Sequence, residues 1–229
     1  MIRENLEEVR GRIAAACGRA GRDPSEVILL AVSKTKPASM IREAMEAGQR
    51  AFGENYVQEL CEKVELFGNS ADWHMIGHLQ RNKVKNVIGK VSMIHSVDSM
   101  RLAEQIEKDA GKQGISVNVL LEVNVAAEES KWGFTPEETE GILRQLSSFP
   151  HVHVCGLMTS APITEDPESN RGYFRQLRTL FDSLAALKLP NTDMRVLSMG
   201  MTGDYEVAVE EGATMVRVGT GIFGARLTM

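Results

Sequence analysis

No apolar stretch of this 229-residue chain approaches the roughly 18–20 residues that a membrane-spanning helix needs, so no membrane partner is expected. The first residues, Met1 to Arg10, are charged throughout and lack the apolar centre of a secretory signal. Cysteine is scarce. Cys17, Cys61 and Cys155 are far apart, odd in number and never in a C-x-x-C pair. That excludes a disulfide framework and suits a reducing cytoplasm. Basic charge is not in excess either: 26 Lys and Arg against 31 Asp and Glu leave a net charge of −5. Nucleic acid binding through a broad basic face is therefore not expected, and the cluster Arg81-Asn82-Lys83-Val84-Lys85 reads as a solvated helix start. His151 and His153 are two apart but lack a third ligand, so no metal site is expected.

What remains is an ordinary soluble composition, 43% hydrophobic and 25% charged, with punctuation that repeats. Leu6, Val9, Ile13 and Ala16–Cys17 recur at helical spacing, giving an N-terminal helix within residues 1–20. Eight apolar runs read as strands: Val27–Ser33, Ala51–Asn55, Trp73–Gly77, Met93–Val97, Val117–Val125, Val152–Met158, Arg195–Met199 and Met215–Val218. Helical patterns lie between them. Asp98 is the expected cap of the helix carrying Leu102 and Ile106, and Thr135-Pro136-Glu137-Glu138 supplies a capping box. Asp166-Pro167 opens a long helix, and another is expected from about Asp204 to Glu211. Strands alternating with helices predict a parallel sheet, and eight units at this length predict a single (β/α)8 TIM barrel spanning residues 1–229. An open doubly wound sheet is the runner-up, without its G-x-G-x-x-G signature after the first strand.

In a barrel, the C-terminal ends of the strands form one mouth. Lys34 closes the first apolar run there, where burial disfavours the ammonium form and a neutral amine attacks carbonyls. Lys36 shares its parity, and the spacing does not choose between the two. Two glycine segments, Ser198-Met199-Gly200-Met201-Thr202-Gly203 and Val218-Gly219-Thr220-Gly221-Ile222-Phe223-Gly224, follow the seventh and eighth strands, where barrels often hold a phosphate. Arg217 shares a strand face with Gly219 and needs a partner, either a ligand or a core carboxylate such as Glu122 or Glu54. An imine-forming lysine, a phosphate cradle and a buried arginine together suggest pyridoxal 5′-phosphate.

The chain resembles the YggS/PROSC family of pyridoxal phosphate homeostasis proteins. The likeness is carried by Leu30–Pro37, Phe52–Glu59, Trp73–Lys83, Gly156–Leu157–Met158, Leu197–Met201 and Met215–Gly224. It implies the fold of the N-terminal barrel of alanine racemase. It also implies Lys34 as the Schiff-base lysine, phosphate contacts from Ser198, Gly200, Met201, Gly219 and Thr220, Arg217 near the pyridine nitrogen, and Asn55 as a pocket residue. The expected function is intracellular storage of the cofactor without turnover. Apo enzymes are the candidate recipients, and a monomer is expected. A racemase or other pyridoxal enzyme is the alternative. Against it, Tyr56, Tyr173 and Tyr205 fall in no recognisable catalytic context. An imine-forming aldolase would need Glu54 and His74 as acid and base beside the lysine.

Overall fold

The alternating apolar runs become eight parallel strands that close on themselves in chain order. The computed structural model describes residues 1–225; the expected domain's residues 226–229 lie outside them. The strands are β1 (Ile28–Val32), β2 (Ala51–Glu54), β3 (Asp72–Met75), β4 (Met93–Val97), β5 (Val117–Glu122), β6 (Val152–Met158), β7 (Thr192–Met201) and β8 (Met215–Val218). Closure is the β1–β8 pairing, with Ile28 opposite Met215 and Leu30 opposite Arg217. The helices are α1 (Ile2–Arg19), α2 (Ala38–Glu46), α3 (Val57–Phe67), α4 (Val84–Val87), α5 (Met100–Gln113), α6 (Pro136–Leu146), α7 (Arg171–Ala186), α8 (Tyr205–Glu210) and α9 (Thr220–Phe223).

Strand alternation divides the core in two. One face of each strand points into the barrel, where Leu30, Met93, Leu120, Cys155, Met158, Val196 and Met215 pack together. The other face meets the helices in a larger apolar layer. α1 contributes Ile2, Leu6, Val9, Ile13, Ala16 and Cys17 to that layer, at the spacing read from the sequence, and packs on α8 and α9. Asn5 donates to the Ile222 carbonyl at 2.8 Å, tying α1 to α9.

Several expected boundaries move for local reasons. Ser99, not Asp98, caps α5, because the Asp98 carboxylate is taken by His78 Nδ1 at 2.9 Å. Asp166 caps a short 3-10 turn, Pro167–Asn170, and α7 starts only at Arg171. β7 runs longer than expected, and its pairing with β8 shifts register between Ser198 and Met201. That irregularity brings the end of β7 hard against α8. Gly200 sits there at φ 93°, and a Cβ on it would lie 2.6 Å from Ala208 Cβ and 2.9 Å from Tyr205 Cα. Gly200→Ala is therefore expected to destabilise the protein by roughly 2–4 kcal/mol, from strain and overpacking together. Urea unfolding checks this, and an unchanged midpoint would reject the close approach.

Candidate functional site

At the C-terminal ends of the strands lies a cavity of about 320 Å³. β1 and its turn supply Val32 and Lys34, and β2 and β3 supply Asn55 and Ile76. Ser160 follows β6, while Met201, Thr202 and Gly203 end β7. Arg217 comes from inside β8, with Gly219 and Thr220 just after it. The volume suits a small organic ligand. Asn55 is placed by a close approach: a Cβ on Gly77 would sit 2.4 Å from the Asn55 carbonyl oxygen. Asn55 Oδ1 is buried with no hydrogen-bond partner among the described residues. The amides of Gly219 and Gly221 converge on Thr202 Oγ1, at 3.3 and 3.4 Å, and bind the two glycine loops into one rim. A cleft of about 360 Å³ opens elsewhere, beside Arg10, Gln49 and the starts of β1 and β2. Its Gln49 amide already bonds the Leu29 and Ala51 carbonyls, and Arg10 bonds Gln49 and the Ala47 carbonyl.

Beneath the cavity the barrel interior is polar. Arg217 is only 4% exposed. Its Nη1 donates to Ser198 Oγ at 2.8 Å, and its Nη2 donates to the Thr159 carbonyl at 2.8 Å and to Ser160 Oγ at 3.4 Å. Burial pushes the guanidinium down to about 10, against the pull of Glu122 and Asp204, so it stays charged at neutral pH. The chain of contacts continues from Ser198 Oγ to His95 Nδ1 at 3.1 Å, from His95 Nε2 to His74 Nδ1 at 2.9 Å, and from His74 Nε2 to Asp72 Oδ2 at 3.4 Å. Burial, with His74 and Arg217 nearby, holds the His95 imidazole well below the usual histidine range, hence neutral. One direction satisfies every link: Arg217 donates to Ser198, Ser198 to His95, His95 to His74, and His74 to the carboxylate.

The turn carrying Lys34 is held from outside the barrel wall. Ser33 Oγ donates to Glu54 Oε1 at 2.5 Å, and the Thr35 amide donates to Glu59 Oε1 at 2.6 Å. Lys63 Nζ lies between the two carboxylates, 2.7 Å from Glu54 Oε1 and 2.6 Å from Glu59 Oε1, and donates to the Ser33 carbonyl at 2.7 Å. Burial pushes the Glu54 carboxyl up, and Lys63 pulls it back. Thr35 sits at φ 62°, a left-handed conformation that costs a β-branched residue on the order of 1–3 kcal/mol. Two residues after Lys34, Lys36 Nζ turns away to the carbonyls of Phe223, Gly224 and Ala225 at 3.0–3.3 Å.

Residues 3–227 match the family model described as alanine racemase, N-terminal domain. The pyridoxal phosphate homeostasis protein of Aquifex aeolicus is 48% identical over 224 residues, covering 97% of each chain. The chain belongs to the pyridoxal phosphate homeostasis protein family. PipY of Synechococcus elongatus PCC7942, solved with PLP bound, is 38% identical, covers 98% of this chain and 100% of its own, and superposes with a TM-score of 0.83. An alanine racemase from Clostridium difficile, 16% identical with a TM-score of 0.75, shares the barrel fold over 99% of this chain and 56% of its own.

Of the site residues that the family likeness implies, Lys34, Asn55, Met201, Arg217, Gly219 and Thr220 come together in the cavity lining, and Ser198 and Gly200 do not. Ser198 is fully buried below the cavity, its hydroxyl taken by Arg217 and His95. Gly200 faces α8, where only glycine fits. Met201 lines the cavity, but its amide donates to Asp204 Oδ1 at 2.7 Å. Ser160, at the end of the sixth strand, and Gly203, in the first glycine segment, fall at the mouth as the sequence places them, whereas Val32 and Ile76 in the lining and Glu59 and Lys63 behind the wall had no expected site role. The i, i+4 spacing of Glu59 and Lys63 was the signal available for the last two. Glu54 and His74 both lie outside the lining, which takes away the acid and base of an aldolase. His151 bonds Glu107 Oε1 and His153 bonds Asn191 Oδ1.

Glu122 lines a smaller neighbouring cavity with Asn124, Lys131 and Ser160. Burial, and then Asp98, push its carboxyl from 4.5 up to about 7, opposed by Arg217 and Lys131. A raised folded-state value means that its stabilising contribution is complete below pH 4.5 and is lost as pH rises through about 7. Against Glu122→Gln, the parent is expected to lose at most about 3 kcal/mol between about pH 5 and pH 8, read by unfolding at both pH values. A constant difference would reject the burial. Nitrogen-15 spectra are expected to show His95 and His74 as Nε2–H tautomers, with His95 taking no proton where exposed histidines titrate. An imidazolium signal from His95 there would break the chain of donors.

Proposed function

We propose that the cavity holds pyridoxal 5′-phosphate through a Schiff base to Lys34, and that the protein stores and releases this cofactor without turning over amino acids. The observation that carries the reading is the meeting of Lys34, Arg217 and the two glycine loops at one mouth. The residues present fit the group. Asn55 Oδ1 is an acceptor awaiting a donor, and the Gly219 and Gly221 amides already converge on an oxygen, the Thr202 hydroxyl. Bound there, pyridoxal phosphate supplies an aldehyde that condenses with a primary amine and releases water.

The chain's own residues define the rest. Thr202, Gly219 and Thr220 form the rim that would receive the phosphate, and Lys34 presents the amine. Arg217, charged and fixed by Ser198 and Thr159, is the donor that would meet the ring nitrogen of the bound group, and a nitrogen so met would need no proton. An unprotonated ring is a poor electron sink, which favours holding over turnover. Racemisation also needs a second acid–base group across from the lysine. Tyr56, Tyr173 and Tyr205 are absent from the lining, and Tyr205 is buried against Arg12. A monomer is the proposed state. The three free cysteines suit a reducing cytoplasm, where apo enzymes would be the recipients.

An absorbance spectrum of the purified protein with excess cofactor is expected to show a Schiff-base band that is missing in Lys34→Ala. Colourless parent protein would reject the site. Assays of L-amino acids for racemisation, transamination and decarboxylation are expected to give turnover well below about 1 s⁻¹, and rates in the common enzyme range would reject the storage role.

A further inference from the structure

We infer that Glu54, Lys63 and Glu59 are positioning residues for Lys34, acting on its amine through the backbone of the turn that carries it. The inference rests on the proposed role of Lys34. Glu54 and Lys63 are both buried, at 0% and 7% exposure, on the helix side of the barrel wall, so they cannot touch a ligand in the cavity. A buried ion pair is no better for stability than an apolar pair of similar volume. Its placement needs another reason, and the contacts supply one. Each carboxylate takes one hydrogen bond from Lys63 and one from a residue beside Lys34: Ser33 Oγ on Glu54, and the Thr35 amide on Glu59. Lys63 itself donates to the Ser33 carbonyl, which also accepts the Lys36 amide at 3.0 Å. The residues before and after Lys34 are thus gripped by one charged cluster.

The grip has something to hold. Thr35 is β-branched and left-handed, a conformation that a threonine leaves when nothing fixes it. Its amide is held by Glu59, and Glu59 is held in turn by Lys63, one turn of α3 away. Release of Glu59 lets the turn relax and swings the Lys34 Cα away from the cavity. Lys36, bound to the carbonyls after β8, marks the other end of the same turn. The triad therefore sets where the amine stands without taking part in any bond it makes.

Lys63→Met and Glu59→Ala test this, with Lys63→Arg as the conservative rescue. Pyridoxal phosphate is added, borohydride fixes the linkage, and mass spectrometry reads its rate and position. Attachment at Lys34 is expected to slow on the order of tenfold in Lys63→Met and Glu59→Ala, with part of the label moving to Lys36, and to recover in Lys63→Arg. Affinity for pyridoxine 5′-phosphate, which has an alcohol in place of the aldehyde, is expected to stay within about twofold, because the cavity itself is untouched. Unchanged attachment, or an alcohol affinity that falls in parallel, would overturn the positioning role. Hydrogen exchange at the Thr35 amide needs no cofactor. It is expected to quicken about 100-fold in Glu59→Ala, and unchanged exchange would overturn the grip by itself. A parent protein that takes no label rejects the cofactor reading instead, and the exchange result then decides the grip alone.

Discussion

Arg217 is a full charge inside a closed barrel, and the surrounding polar structure follows from accommodating it. A buried guanidinium is tolerated only where acceptors meet it. β6 provides the Thr159 carbonyl and the Ser160 hydroxyl beyond its end, and β7 provides the Ser198 hydroxyl. Because arginine only donates, Ser198 must pass its own proton onward, and that requirement reaches His95, His74 and Asp72 in order. A single residue on β8 thereby fixes the tautomers of two histidines on β3 and β4. It also explains why the interior is polar at this level and apolar elsewhere, where Leu30, Met93, Leu120 and Met215 pack. Each ring nitrogen of the two interior histidines has a hydrogen-bond partner in this chain of contacts.

The barrel wall separates two tasks that meet at Lys34. Strand alternation sends Arg217 and Gly219 inward and Ser33 and Glu54 outward. The inner side shapes the cavity, and the outer side governs the turn that enters it. β1 ends at Val32 and the last bond to β2 is made by the Ser33 amide, to the Gly53 carbonyl at 3.1 Å, so Lys34 stands just past the strand ladder on a turn held by other contacts. Lys63 on α3 can supply those contacts because α3 packs directly behind β2.

Much of this was legible in the sequence. The eight apolar runs separated by helical patterns gave the strands and their order, and parity placed Arg217 and Gly219 together. Lys34 and the two glycine loops meet at one mouth because the strand ends of a closed barrel converge. The family likeness offers Ser198 and Gly200 as phosphate contacts without their surroundings, and the register shift between Ser198 and Met201 leaves Ser198 in the interior and Gly200 against α8. Asp98 looked like a cap because it precedes a helix, but His78, in the loop after β3, claims it. The i, i+4 spacing of Glu59 and Lys63 shows their ion pair, but not their hold on the turn, because the Thr35 amide and the Ser33 carbonyl leave no mark in side-chain pattern.

The contrast between Lys34 and Lys36 shows how neighbours decide chemistry. Both are lysines of the same turn with the same parity, so intrinsic reactivity does not separate them. Lys36 places its side-chain nitrogen on three carbonyls at the end of α9, which occupy all three of its donors and direct it away from the cavity. Lys34 instead borders the cavity that Arg217 also lines. Two lysines that the sequence leaves equivalent are therefore separated by where the fold sends each side chain, one to the cavity and the other to the carbonyls after β8.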